Sequence, residues 1–145
     1  MSKEAQAGLI LKLYELRRDP TMREARDWYF REFGPESKAD IDKAMFSAHS
    51  GHLRMVMSYW DMAASLVING AIDQTMFNDA NGEQFGVFGA IEPFLAEMRA
   101  GIGPQFMKSL EALIDATPGG RERSAAMRER MKMIRATLAK QASGA

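Results

Sequence analysis

His49 and His52 are the only histidines in the chain, and they stand three residues apart. On a helix that spacing puts two imidazoles on one face, as a pair of metal ligands would be. A metal site needs a third ligand, and the next carboxylate downstream, Asp61, is about two and a half turns further along. Neither a His-Glu-x-x-His motif nor a Glu-x-x-His pair on another helix accompanies them, so no metal and no cofactor is expected. His49 falls on an apolar stripe, where a hydrogen-bonded histidine is the commoner outcome.

Asp61 follows Tyr59-Trp60 and falls beside apolar positions, Met57 and Ala64-Ile68. A carboxylate there must find a partner or raise its pKa. Arg23, Arg26 and Arg99 are the expected partners in a structural ion pair joining two helices. The functional alternative makes Asp61 an acid, base or ligand-orienting group in a pocket with Trp60, His49 and His52. No second carboxylate stands at a spacing suited to acid–base work. No serine near the histidines lies on a nucleophile elbow, so no catalytic residue is assigned.

The segment Gly82-Glu83-Gln84-Phe85-Gly86-Val87-Phe88-Gly89 has the glycines of a phosphate loop. It lacks the Lys-Ser/Thr ending and a preceding strand. Its glycines are expected instead to let their helix approach the long central helix closely. The terminal segment, about residues 121–141, carries seven basic residues against Glu122 and Glu129. Arg123, Arg128, Arg130, Lys132 and Arg135 form its candidate partner-binding set. Met127, Met131, Ile134 and Leu138 make an apolar stripe, expected to pack on the bundle with the basic side in water. No aromatic residue interleaves with the bases, which disfavours nucleic acid. The preceding Pro118-Gly119-Gly120 is a hinge that would let the helix detach to serve a partner.

The frame that must position these residues is helical. The 145 residues suit one domain with one core. The chain has no cysteine, which removes disulfides, thiolate chemistry and Cys-ligated metals, and fits a reducing compartment. Nineteen bases balance nineteen acids, so no global field draws it to nucleic acid or acidic membranes. Residues 1–18 lack the apolar core of a signal peptide, and the longest apolar run, Met62–Ile68, is too short to span a bilayer. The expected location is cytoplasmic.

Helix periodicity and breaks divide the chain into six to seven helices. The first runs over about 3–18. Asp19-Pro20 caps and starts a second, which Gly34-Pro35 ends. A long third helix runs from about Asp40 to Asn69, with Phe46, His49, Leu53, Val56, Trp60, Ala64 and Val67 on its inner face and Gly51 as the place for a bend. A short helix follows Asp73. Another covers about 83–99, with Pro93 kinking it or Glu92 marking a boundary. Helices over about 105–116 and 121–141 complete the chain, and residues 142–145 fray. The expected fold is all-α: an irregular antiparallel bundle around one long central helix, in a single domain over 1–145.

Leu13-Tyr14-Glu15-Leu16-Arg17 and Met22 to Phe30, followed by Tyr59 to Asp73 and then Ile91-Glu92-Pro93-Phe94 with Arg99, resemble a family of small bacterial all-helical proteins of unknown function. The resemblance covers about residues 9–114 and leaves out the basic terminal helix. Asp61 stands where that pattern has glutamate, and Phe88 where it has tryptophan. The resemblance implies a helical fold and transfers no functional residue.

The favoured reading is a non-enzymatic helical interaction or regulatory module, with a protein partner or a second copy as a homodimer. A small-molecule or enzymatic site beside Trp60, Asp61, His49 and His52 is the alternative. Nucleic-acid binding through the terminal helix is the third.

Overall fold

The computed structural model describes residues 2–144. The elements are α1 (Lys3–Arg17), α2 (Pro20–Trp28) extended by a π-helical turn (Tyr29–Phe33), α3 (Lys38–Met45) and α4 (Ser50–Ile68). They continue with α5 (Gln74–Ala80), α6 (Glu83–Ile91), a 3-10 turn (Glu92–Phe94), α7 (Leu95–Ile102), α8 (Lys108–Ala116) and α9 (Gly120–Gly144). No strand occurs among the described residues, and the all-α bundle expected from the sequence is what the chain forms. No helix among them is long and apolar enough to cross a membrane.

Local chemistry starts four of these helices, α1, α2, α3 and α5. Ser2 accepts from the Ala5 amide at 3.1 Å, and Ser37 from Asp40 at 3.1 Å. Asp19 accepts from both Thr21 and Met22, with Pro20 at the first helical position, and Asp73 caps α5 through Met76. Gly34 ends the π-turn in a left-handed conformation, φ +33°.

The long helix expected over 40–69 is two helices. Phe46 closes α3, and Ser47 turns its hydroxyl back onto the Ala44 carbonyl at 2.7 Å while accepting from the His49 amide at 3.0 Å. A serine that bonds its own backbone in this way competes with the helical ladder, and the chain breaks there. Gly51 lies inside the first turn of α4 and is not itself the break. In consequence Phe46, expected on the inner face, is 91% exposed. Pro93 marks a boundary rather than a kink: the 3-10 turn separates α6 from α7. The expected fray after residue 141 is helix as far as Gly144, and Ala145 lies outside the described residues.

α4 packs between α2 and α8, and α6 packs on α4, α8 and α9. α4 buries Leu53, Val56, Met57, Tyr59, Trp60, Ala63, Ala64 and Val67. α6 is buried on nearly its whole circumference, so it shares the centre of the bundle with α4. Phe77, Phe85 and Phe88 have no exposed surface, and burial of each contributes roughly 2–3 kcal/mol before the entropy of ordering it. Gly86 and Gly89 do not bring α6 against α4, as the sequence suggests, but open it to α9. A Cβ on Gly89 would strike the Ser124 carbonyl, and one on Gly86 would lie 3.1 Å from the Met127 methyl and 3.0 Å from Phe30.

Candidate functional site

The four residues grouped as a ligand site serve three different neighbours. His49 and His52 do share a face: their ring centroids are 5.8 Å apart, and both lie against Trp28, with His49 stacked at 5.1 Å. The Nε2 of His52 is 3.8 Å from a Glu24 oxygen. No group of three or more potential metal ligands occurs among the described residues. Trp60 is 1% exposed and points the other way, toward α6.

Asp61 makes none of the expected ion pairs with Arg23, Arg26 or Arg99. Its Oδ1 accepts from the Leu110 amide at 2.9 Å. Leu110 is the third residue of α8, and its N–H is one of the donors a helix start leaves without an intrahelical partner. Met107, immediately before α8, is in the left-handed region with φ +59° and caps nothing through its side chain. Asp61 therefore caps α8 from another helix. Replacing it tests this: Asp61→Ala should cost about 1 kcal/mol and speed exchange of the Leu110 amide, while Asp61→Asn retains most of both. Unchanged Leu110 protection in Asp61→Ala would remove the assignment.

Arg26 and Arg99 pair with glutamates. Glu83, at the start of α6, takes both the Nε and Nη2 of Arg26 at 3.0–3.1 Å, and the indole N–H of Trp60 at 2.8 Å. The third nitrogen of Arg26 donates to the Arg17 carbonyl at 3.3 Å, closing the end of α1. Arg17 donates to the Tyr59 hydroxyl at 3.2 Å and lies over the Trp60 ring at 5.1 Å. Tyr59 in turn donates to the Leu13 carbonyl at 2.6 Å. Burial raises the Tyr59 phenol above its ordinary pKa, with Arg17 opposing the shift. Burial, reinforced by the Glu83 charge, pushes Tyr29 far above its own, and its hydroxyl donates to Val87 O at 2.7 Å. This network binds α1, α2, α4 and α6 at one level of the bundle.

On the other side of α6, Arg99 meets Glu111 at 3.0 Å. Arg121 reaches Glu111 at 3.0 Å and Asp115 at 2.7 Å, and covers the Phe88 ring at 4.9 Å. The hydrogen bond from Arg121 holds the Asp115 carboxyl below the usual range. These contacts pin the first turn of α9 to α8 and α6.

α9 lays Met127, Met131 and Leu138 partly on the bundle as expected, but its basic side is not wholly in water. Arg128 donates to Gly89 O at 2.9 Å and Arg135 to Phe30 O at 3.3 Å, so both guanidiniums face the bundle. Burial lowers the pKa of Arg135 from its ordinary value. Arg123 lies over Phe85 at 4.0 Å, and Lys132 is 3.9 Å from Glu36. Arg128 and Arg135 donate to carbonyls of α6 and of the π-turn that face α9. Met127, Met131 and Leu138 are half-buried beside them, whereas Met133 is 71% and Ile134 37% exposed. Only Gly120 and Ser124 are fully buried in this helix.

The outward side of α9 therefore carries Ala126, Met133, Ile134 and Thr137, edged by the half-buried Leu138 and flanked by Glu129 and Arg130. Ile134 also lines a groove of about 680 Å³ between α9 and α2, with Phe30 and Met131 at its base and Glu24, Asp27 and Arg23 on its rim. A methionine-containing helical face next to a groove can receive another helix. Of the four residues that the sequence groups as the inner stripe, Met127 and Met131 are half-buried as expected, while Ile134 and Leu138 edge this outward face and Met133 is not among them.

A family model described as Domain of unknown function (DUF4760) matches residues 4–117, and the chain belongs to that family. The match ends just before α9, as the resemblance read from the sequence does. No curated protein and no solved structure matches the chain.

Proposed function

We propose that this member of the family is a non-enzymatic helical interaction module that associates with a second copy of itself through α9. The observation that carries the reading is the orientation of α9. Its inner arginines tether it to the bundle, and Met133 and Ile134 are left to water. Exposed apolar side chains in a row are characteristic of association surfaces rather than of isolated domains. The matched family region would then be the scaffold, and α9 the element presented on it.

A second copy is favoured over another partner by the charge pattern along the stripe. Glu129 and Lys140 are separated by eleven positions, about three helical turns, and so lie on one edge of α9. An antiparallel pair of α9 helices centred between Ile134 and Arg135 brings Glu129 of each copy beside Lys140 of the other. Met133, Ile134 and Thr137 meet across the axis, an isologous arrangement. Arg128 and Arg135 point into their own bundle and add no repulsion at the centre of such a pair. A bacterial cytoplasmic setting suits a cysteine-free chain of this kind.

Sedimentation of the whole chain tests the reading. The wild type should sediment as a dimer at micromolar concentration and Ile134→Asp as a folded monomer. A wild type that stays monomeric at high concentration would end the proposal.

A further inference from the structure

The junction of α1 and α2 gathers more positive charge than it neutralises. Arg17, Arg18, Arg23 and Arg26, with the ring of Tyr14, line a notch of about 370 Å³. Glu83 neutralises Arg26 through a two-pronged contact. Asp19, the carboxylate at the turn, is directed to the Thr21 and Met22 amides. Arg17 donates to a neutral phenol and rests on the Tyr14 and Trp60 rings. The side chains of Arg18 and Arg23 have no hydrogen-bond or ion-pair partner among the described residues. Three guanidiniums thus share one notch with no carboxylate paired to any of them.

A structural explanation covers only part of this. Arg17 and Arg18 sit at the C-terminal end of α1, where the helix dipole favours cations. Arg23 lies near the start of α2, where the dipole disfavours a cation and where the one carboxylate, that of the N-cap Asp19, is spent on the Thr21 and Met22 amides. Arg23 forms no ion pair within its own helix in that place. Two of the lining arginines are also held in position, Arg17 by Tyr59 and Arg26 by Glu83, so the walls are preorganised while Arg18 and Arg23 retain all their donors.

We infer that this notch binds a multivalent oxyanion, the phosphate or diphosphate group of a small molecule. Guanidinium forks match the spacing of phosphate oxygens and donate two parallel hydrogen bonds each. Three unneutralised cations select a dianion or polyanion over a monocarboxylate. The volume is at the small end of ligand sites, enough for a phosphorylated head rather than a large cofactor. The inference stands apart from association through α9, since none of its residues lies on that helix.

The test is titration calorimetry of the full chain with inorganic pyrophosphate at low, fixed ionic strength. A parallel arm measures flotation with phosphatidylcholine vesicles containing phosphatidic acid, which presents the same group on a lipid. Arg18→Ala/Arg23→Ala is the diagnostic variant, because both side chains are exposed and unpartnered and their loss should leave the melting temperature unchanged. Saturable pyrophosphate binding is expected, weakened about tenfold or more in the double variant and weakened by added salt. Binding to vesicles alone, with the same sensitivity to the double variant, would identify a lipid headgroup as the source of the phosphate. Ile134→Asp should bind pyrophosphate as the wild type does, which separates this result from the oligomeric state. No saturable binding in either arm, or equal binding by Arg18→Ala/Arg23→Ala, overturns the inference.

Discussion

Glu83→Ala should lower the stability of the chain by about 2–4 kcal/mol, the larger of two losses expected from single substitutions. Two groups lose their acceptor together. The Trp60 indole N–H, on a residue 1% exposed, would have no carboxylate to receive it. The Arg26 guanidinium, whose side chain is 28% exposed, would lose the charge that faces it. That residual exposure keeps the cost below that of breaking a fully buried pair. Arg26 also tethers the last carbonyl of α1, so the damage should extend to the α1–α2 junction. For a domain of this size the loss corresponds to a fall in melting temperature of roughly 6–15 °C. Glu83→Gln keeps one acceptor oxygen and should lose about half as much. Thermal denaturation of the three proteins decides the matter, and an Ala variant within about 0.5 kcal/mol of wild type would show that the network is dispensable.

Gly89→Val should have the second-largest effect, and a localised one. Within a helix the substitution would ordinarily be neutral or helpful, because glycine is a poor helix former. Here its Cβ would meet the backbone of Ser124, an obstacle that no side-chain rotation relieves. Either α6 or α9 must move, and α6 is held by the core on its other sides. α9 has few buried residues of its own and begins after Gly119, which has φ +71°. The expected response is that α9 lifts while the scaffold over residues 4–117 stays folded. Hydrogen exchange should show lost protection across 124–144 with the amides of α4 unchanged. Gly51→Ala, where a Cβ meets nothing within 4 Å, is the control and should not destabilise. Global loss of protection in Gly89→Val would mean that α9 is integral to the core.

These two sites illustrate what could and could not be read from residue order. Starts and stops were legible because their causes are local: Asp19-Pro20 caps and begins α2, and Gly34 ends the π-turn after it. The same locality explains why Asp73 was readable as the start of α5. The break at Phe46–His49 was obscured by an apolar spacing that runs through it, although Ser47 supplies the physical cause. Glu83 carries no local signal, because its partners Arg26 and Trp60 are 57 and 23 residues away and only the packed bundle brings them together. The apolar setting of Asp61 calls for a partner, but the partner is a backbone amide 49 residues later, which side-chain chemistry does not announce. For α9, periodicity places Met127 and Met131 toward the bundle but does not show that Arg128 and Arg135 lie beside them. The arginines turned inward because the facing surface offers the Gly89 and Phe30 carbonyls.

Self-association through antiparallel α9 helices is tested most directly by exchanging the charges at Glu129 and Lys140 and measuring the dimer dissociation constant by sedimentation equilibrium. Glu129→Lys and Lys140→Glu each set like charges together at both ends of the pair, and each should weaken the dimer about threefold to tenfold. Glu129→Lys/Lys140→Glu restores opposite charges in reversed order, and its dissociation constant should return close to that of the wild type. A double variant as weak as the sum of the two single ones, or single variants that dimerise like the wild type, would contradict the arrangement.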